Sequence, residues 1–211
     1  MDQVQSVAMF EPHDLASDQK ATCKAEDLGI QDEPPITHES ASRRQSGAVP
    51  AHPTRIEIFT DGSCIGNPGH GGWSAVIVRR DVTSGLVIKR DELSGFEVNE
   101  TTNIKMEMTA PCMALRRLGR VTDEPIAVYC DLDLIPSAMN LWLSKWKSKG
   151  WKMKGKAIKN RDLWEQIELA AEGRSVTWCW VRGHSGSEDN ERADQLARAA
   201  SKKAEELFKS R

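Results

Sequence analysis

No stretch of the chain approaches the about 18 consecutive apolar residues that a membrane-spanning helix requires. The N-terminus has no basic patch followed by an apolar core, so nothing reads as a signal peptide, and it is too acidic for a transit peptide. Cysteine is sparse and unpaired in pattern. The five residues Cys23, Cys64, Cys112, Cys130 and Cys179 are odd in number and show no CxxC spacing. Neither a disulfide framework nor a zinc site is expected, and a reducing cytoplasm is the default location. Tyrosine occurs once and phenylalanine four times, so most of the aromatic content is the seven tryptophans. No feature of the sequence calls for more than a monomer.

What is present divides into two unlike parts. The net charge of −2 over 211 residues averages an acidic segment with a mildly basic one. Residues 1–53 hold nine Asp or Glu against four Lys or Arg, whereas the remainder holds 22 acids and 25 bases. The first part shows no sustained periodicity of 3.6 or 2, and it contains Pro34-Pro35 and a Ser/Arg/Gln run at 40–47. Such a segment buries too little apolar surface to offset the entropy of ordering it. Residues 1–53 are therefore read as a disordered acidic extension, and residues 54–211 as one domain.

Within that domain, Arg55–Thr60 alternates as a strand. Asp61-Gly62-Ser63 and Asn67-Pro68-Gly69 read as turns, Gly71–Arg80 as a second strand and Leu86–Phe96 as a third, an antiparallel meander. Thr102 to about Leu118 follows a helical pattern capped by Thr101 or Thr102, with a kink expected at Pro111. A buried strand, Pro125–Cys130, ends at Asp131, and a helix follows with Asp133 as its cap and Pro136 in its opening turn. Asp162–Ala171 reads as helix, Ser175–Val181 as strand and Glu188–Phe208 as a long terminal helix. Trp164, Trp178 and Trp180 fall on core-facing stripes. The order implies an α/β fold with one mixed sheet flanked by helices.

Four acids stand at positions where chemistry is plausible. Asp61 ends an apolar strand, and Asp131 lies at the carboxyl edge of another, where open α/β sheets place ligands. Glu107 sits among Met106, Met108, Ala110 and Met113, and Asp194 opens the last helix. Taken singly, each could be a cap or turn residue. Gathered without basic partners they would repel one another unless cations neutralise them, and hard oxygen ligands suit Mg²⁺ or Mn²⁺. Two such ions can promote phosphodiester hydrolysis. Between Trp142 and Asn160 stand seven lysines (145, 147, 149, 152, 154, 156 and 159) and no acid, interleaved with Trp146 and Trp151. Either this is a solvated amphipathic helix, with Trp142 and Trp146 packing at i, i+4, or it is an electrostatic footprint for phosphates.

The segment Ile58 to Gly69 resembles the opening motif of type 1 ribonucleases H. Thr101 to Met108 is similar to the family's Thr-Asn-x-x-Met-Glu segment, and Val181 to Gly186 with Asn190 to Asp194 is similar to its loop histidine and final aspartate. Trp142 to Lys152 resembles the basic protrusion of bacterial members. The likeness spans about residues 54–202. It implies a ribonuclease H-like five-stranded mixed sheet, three antiparallel strands followed by parallel ones. It implies an enzyme that hydrolyses the RNA strand of RNA–DNA hybrids to 5′-phosphate products. By the same resemblance, Asp61, Glu107, Asp131 and Asp194 hold two Mg²⁺ ions, Mn²⁺ substituting, and His184 assists proton transfer or product departure. Cys64, Asn67, Thr102 and Asn103 become candidates for sugar and backbone contacts. Trp142, Lys145, Lys147, Lys149, Trp151 and Lys152 become candidates for gripping the DNA strand. The chain departs from the family where a serine usually follows the third aspartate: here Asp131-Leu132-Asp133 stands instead. Ile104 also replaces a residue that is usually polar. Two rivals remain at this stage, a binding module whose catalysis has decayed and a DNA-cutting relative of the integrase type.

Overall fold

The computed structural model describes residues 53–183 and 186–211. The acidic extension, apart from Pro53, and His184 lie outside the described residues. Strands β1 (Thr54–Ile65), β2 (Gly69–Asp81) and β3 (Val87–Thr101) form the expected antiparallel meander. Helix α1 (Asn103–Arg117) then crosses to β4 (Ile126–Cys130), which lies parallel to β1. Next come a short α2 (Leu134–Ser137), a π-helical turn (Ala138–Trp142) and α3 (Leu143–Ser148). A two-stranded hairpin, β5 (Lys152–Met153) and β6 (Lys156–Ala157), leads to α4 (Arg161–Ala171). β7 (Val176–Trp180) pairs parallel to β4, and α5 (Glu188–Lys209) ends the chain. The main sheet has the order β3-β2-β1-β4-β7. The fold class implied by the sequence is the one observed.

The central strands are covered on both faces. On one side Ile56, Ile58, Val128 and Trp178 pack with Leu115, Ile135, Trp146 and Trp164, which fill the layer formed by α1, the α2–α3 region and α4. On the other, Phe59, Val76 and Val78 meet Ala193 of α5. Helix α5 presents Ala193, Ala197, Ala200 and Ala204 as its buried stripe, a spacing that puts small residues on one helical face. Gly72 of β2 completes this close approach: a Cβ there would stand 2.3 Å from the Ala197 carbonyl oxygen.

Some local expectations hold and others need correction. Asp61-Gly62-Ser63 is not a turn; it lies inside β1, Asp61 opposite Ser74. Its glycine serves proximity instead, since a Cβ on Gly62 would fall 2.2 Å from the Glu107 amide nitrogen. β3 runs on to Thr101, beyond Phe96, because it remains paired with β2 as far as Gly69. Thr102 is the α1 cap, its Oγ1 accepting from the Lys105 amide at 3.3 Å. The helix passes through the buried Pro111 without interruption. Asp133 occupies the position before α2 but makes no side-chain cap; its Oδ1 accepts from Ser137 Oγ at 3.3 Å. The lysine-rich region is one short helix, α3, entered from the π turn, plus a hairpin. Strands of two residues are too short to leave a periodic signal.

Candidate active site

Strand register brings the first two acids together. The parallel pairing of β1 with β4 has its last rung at Thr60 and Cys130, so Asp61 and Asp131, one step further along each chain, are neighbours at the same sheet edge. Alternation puts Asp61 on the side of Phe59 and Ser63, which touch α5 through Ala193 and Ser201. Glu107 arrives from α1, on the other side. It reaches the edge because Gly62 has no side chain to hold the helix off. One oxygen from each of Asp61, Glu107 and Asp131 lies within 4.8 Å of the others.

The fourth acid stands apart. Asp194, on the second turn of α5, is not in that group of three and is ion-paired with Arg198 Nε at 2.6 Å. Its charge still raises the proton affinity of Asp61. The structure thus collects three of the four acids and leaves Asp194 at the rim, held by a residue four positions along the helix.

Burial and mutual repulsion dominate the electrostatics. Asp61 is 7% exposed, and its pKa is pushed up to about 7 by desolvation first, then by Asp131 and Asp194. Glu107 is 5% exposed, and burial, followed by the charges of Asp61 and Asp131, holds its pKa well above the usual carboxylate range. Asn103 Nδ2 donates to Glu107 Oε1 at 3.3 Å, whereas the buried Oε2 has no hydrogen-bond partner. A buried carboxylate oxygen left unpaired costs about 1–3 kcal/mol or more. Orphaned lone pairs, raised proton affinities and a donor set made only of oxygen fit a small hard divalent cation.

The candidate substrate residues line the approach unevenly. Asn67 is exposed, and its Oδ1 accepts from the Asn103 amide at 3.2 Å, tying the β1–β2 loop to the start of α1. The Cys64 thiol donates to the Gly66 carbonyl at 3.1 Å and so turns onto its own loop. Thr102 caps α1 as described. Ile104 is exposed beside them. Lys145, Lys147, Lys149 and Lys152 are exposed, but Lys147 Nζ is engaged with Glu168 at 2.7 Å. Trp142 is half-buried against Trp146. Trp151 is not a surface platform. It is 7% exposed, belongs to the core and carries the Arg161 guanidinium 5.2 Å above its ring.

Sequence reasoning did not assign the contacts that four residues make at the site. Gly62 and Gly183 act by closeness, since a Cβ on Gly183 would come 3.2 Å from Asp131 Oδ2. Arg198 partners Asp194, a pairing that the i, i+4 spacing could have revealed. Trp180, read only as core, is half-buried and donates from Nε1 to the Asp131 carbonyl at 3.0 Å.

Fold and site together define a metal-dependent enzyme built on a ribonuclease H-like sheet. Residues 53–202 match the family model described as RNase H. A ribonuclease H of Pseudomonas fluorescens is 45% identical over 143 residues, which are 67% of this chain and 89% of that protein. Among solved structures, LC9-RNase H1, a type 1 RNase H with the type 2 active-site motif, superposes with a TM-score of 0.64 at 30% identity, covering 75% of this chain and 76% of that one. LC11-RNase H1 in complex with an RNA/DNA hybrid gives 0.54 at 28%, covering 71% and 99%. The chain belongs to the ribonuclease H family.

Proposed function

We propose that this chain is an endonuclease that hydrolyses the RNA strand of RNA–DNA hybrids with little sequence preference, using Mg²⁺, for which Mn²⁺ can substitute. The observation that carries the reading is the gathering of Asp61, Glu107 and Asp131 with an unpaired buried oxygen on Glu107. Those three, with Asp194 from the rim, would hold two divalent ions. Such ions activate water and stabilise the leaving oxygen of a phosphodiester. The chain's own residues do the rest. Asn103 orients Glu107, Arg198 holds Asp194, and Gly62 lets α1 deliver its carboxylate to the sheet edge. Water adds to phosphorus, the P–O3′ bond breaks, and the products are a 3′-hydroxyl and a 5′-phosphate. His184, on the connection between β7 and α5, would take up or return a proton.

Exposed Lys145, Lys149 and Lys152, with the half-buried Trp142, supply charge and a ring edge for one strand of the duplex. Contacts of this kind position nucleic acid without reading bases. Asn67, Thr102, Asn103 and Cys64 would contact sugar hydroxyls of the RNA strand, and recognition of the 2′-hydroxyl is what separates RNA from DNA. LC11-RNase H1, which binds an RNA/DNA hybrid, supports this choice of substrate. Residues 54–211 would be the catalytic unit and residues 1–53 a separate acidic extension. We place the protein in the cytoplasm as a monomer; no helix among the described residues is long and apolar enough to cross a membrane.

The test is cleavage of labelled hybrid, duplex DNA and duplex RNA, with Mg²⁺ or with EDTA. Only the hybrid's RNA strand should be cut, and only with metal. Asp61→Asn should abolish turnover while hybrid binding stays measurable. Cutting of DNA, or turnover that survives in the Asp61 variant, overturns the reading.

A further inference from the structure

Asp131 is the least enclosed of the three clustered carboxylates. It lies one residue past the last rung of β4, which pairs Cys130 with Thr60 on one side and with Trp180 on the other. Two contacts extend the sheet's hold beyond that rung. The Val181 amide donates to the Cys130 carbonyl at 3.0 Å, and the Trp180 indole Nε1 donates to the Asp131 carbonyl, also at 3.0 Å. The second bond acts on the peptide unit that begins at Asp131. Buried or half-buried carbonyls are seldom left without a donor, so the bond has a structural rationale of its own. Its location gives it a further consequence.

Gly183 bounds the same carboxylate from the other side. A Cβ there would stand 3.2 Å from Asp131 Oδ2 and 3.8 Å from its Cβ. The Gly183 backbone is not in the left-handed region, so conformational freedom does not call for a glycine. The missing side chain leaves room for Asp131 to turn toward Asp61 and Glu107.

We propose that Trp180 and Gly183 are positioning residues for Asp131, one fixing its main chain and the other clearing space for its carboxylate. The proposal rests on reading Asp61, Glu107 and Asp131 as a divalent-cation site. Neither residue would touch cation or substrate. Without the indole donor, the peptide after Asp131 can rotate and its carboxylate spends less time in register with the other two. Groups that orient a metal-binding carboxylate through hydrogen bonds typically change affinity about 10–100-fold when lost. Because the contact here is to the main chain, the lower figure, about tenfold, is expected.

The experiment is calorimetric titration of Mn²⁺ into the full chain, comparing the unaltered protein with Trp180→Phe, Gly183→Ala and Trp178→Phe. Trp180→Phe keeps the ring and loses the donor; Gly183→Ala adds one methyl at a half-buried loop position and carries the test if the first variant does not fold. Both should bind Mn²⁺ about tenfold more weakly. Cleavage by both should recover as the cation concentration is raised, with KM for the hybrid unchanged. Trp178→Phe, on the same strand but 5% exposed within the core, should lower Tm in EDTA and leave Mn²⁺ affinity alone. Equal affinity in the unaltered protein, Trp180→Phe and Gly183→Ala overturns the proposal. Absence of binding by the unaltered protein overturns the cation reading and this proposal with it, and so differs visibly from the first failure.

Discussion

Asp61 shows how much a single side chain depends on its surroundings. In water its carboxyl would ionise near 3.8, but burial beside Asp131 and Asp194 moves that to about 7. The folded chain therefore holds a proton on Asp61 across a range in which the unfolded chain has lost it. The contribution of this group to stability is largest below about pH 4, falls as pH rises through the window, and is lost above about 7. Metal-free protein should accordingly melt lower at about pH 8 than at about pH 5.5, and Asp61→Asn should raise Tm at the higher pH and shrink the difference. Differential scanning calorimetry in EDTA measures this, and an Asp61→Asn variant that melts below the parent at pH 8 contradicts it. Mg²⁺ should raise Tm of the parent more at the higher pH, since cation and proton compete for the same oxygens. At this scale the sequence was partly legible. Asp61, Glu107 and Asp131 stood out because apolar runs end, or an acid enters an apolar helix face, at their positions. Gly62, Gly183 and Trp180 did not, because each acts on a residue distant in the chain or across a strand pair, and no local pattern marks such contacts.

Among the elements, α1 and the lysine-rich region behave differently. The helix was readable from its threonine cap and helical pattern, and it forms where that pattern places it. Its distance from the sheet was not readable, because that is set by Gly62. Gly62→Ala should push α1 outward and cost roughly 1–3 kcal/mol or more, as overpacking of a tight contact does. Urea denaturation checks this, and a midpoint within error of the parent would show that the contact relaxes freely. The lysine-rich region announced its charge but not its shape. Trp142 and Trp146 pack together as their i, i+4 spacing suggests, but Trp146 also meets Trp164, and Trp151 goes into the core with a left-handed backbone. Lys147 is occupied by Glu168 on α4, so the three lysines to replace are 145, 149 and 152. Their triple change to alanine should weaken hybrid binding and reduce the slope of log affinity against log salt by about 2–3, near 0.9 per lost phosphate contact. A slope that does not move would show that these side chains do not meet phosphates.

For the whole molecule, the βββ meander and the parallel β1-β4-β7 core follow from alternation and from short buried runs, which is why the fold class was accessible from sequence. The charge imbalance belongs to this scale as well. Without residues 1–53 the chain would carry 25 bases against 22 acids rather than a net −2. Deleting that segment should preserve hybrid cleavage and tighten hybrid binding at low ionic strength, the gain vanishing as salt shortens the range of the charges. Fluorescence anisotropy over a salt series measures it. Identical affinities at low salt would mean that the acidic segment exerts no field on the binding surface.

The third strand from either edge of the sheet is β1, and Asp61 is one of its paired residues. A charge mounted on a flexible loop can swing out to water when its neighbours ionise, but one built into the middle of a hydrogen-bonded ladder has nowhere to go. Relief has to come to it, as a proton or as an ion from solution. The scaffold therefore turns its own electrostatic discomfort into an appetite for cations, and chelation should leave behind a folded protein under internal repulsion rather than a collapsed one.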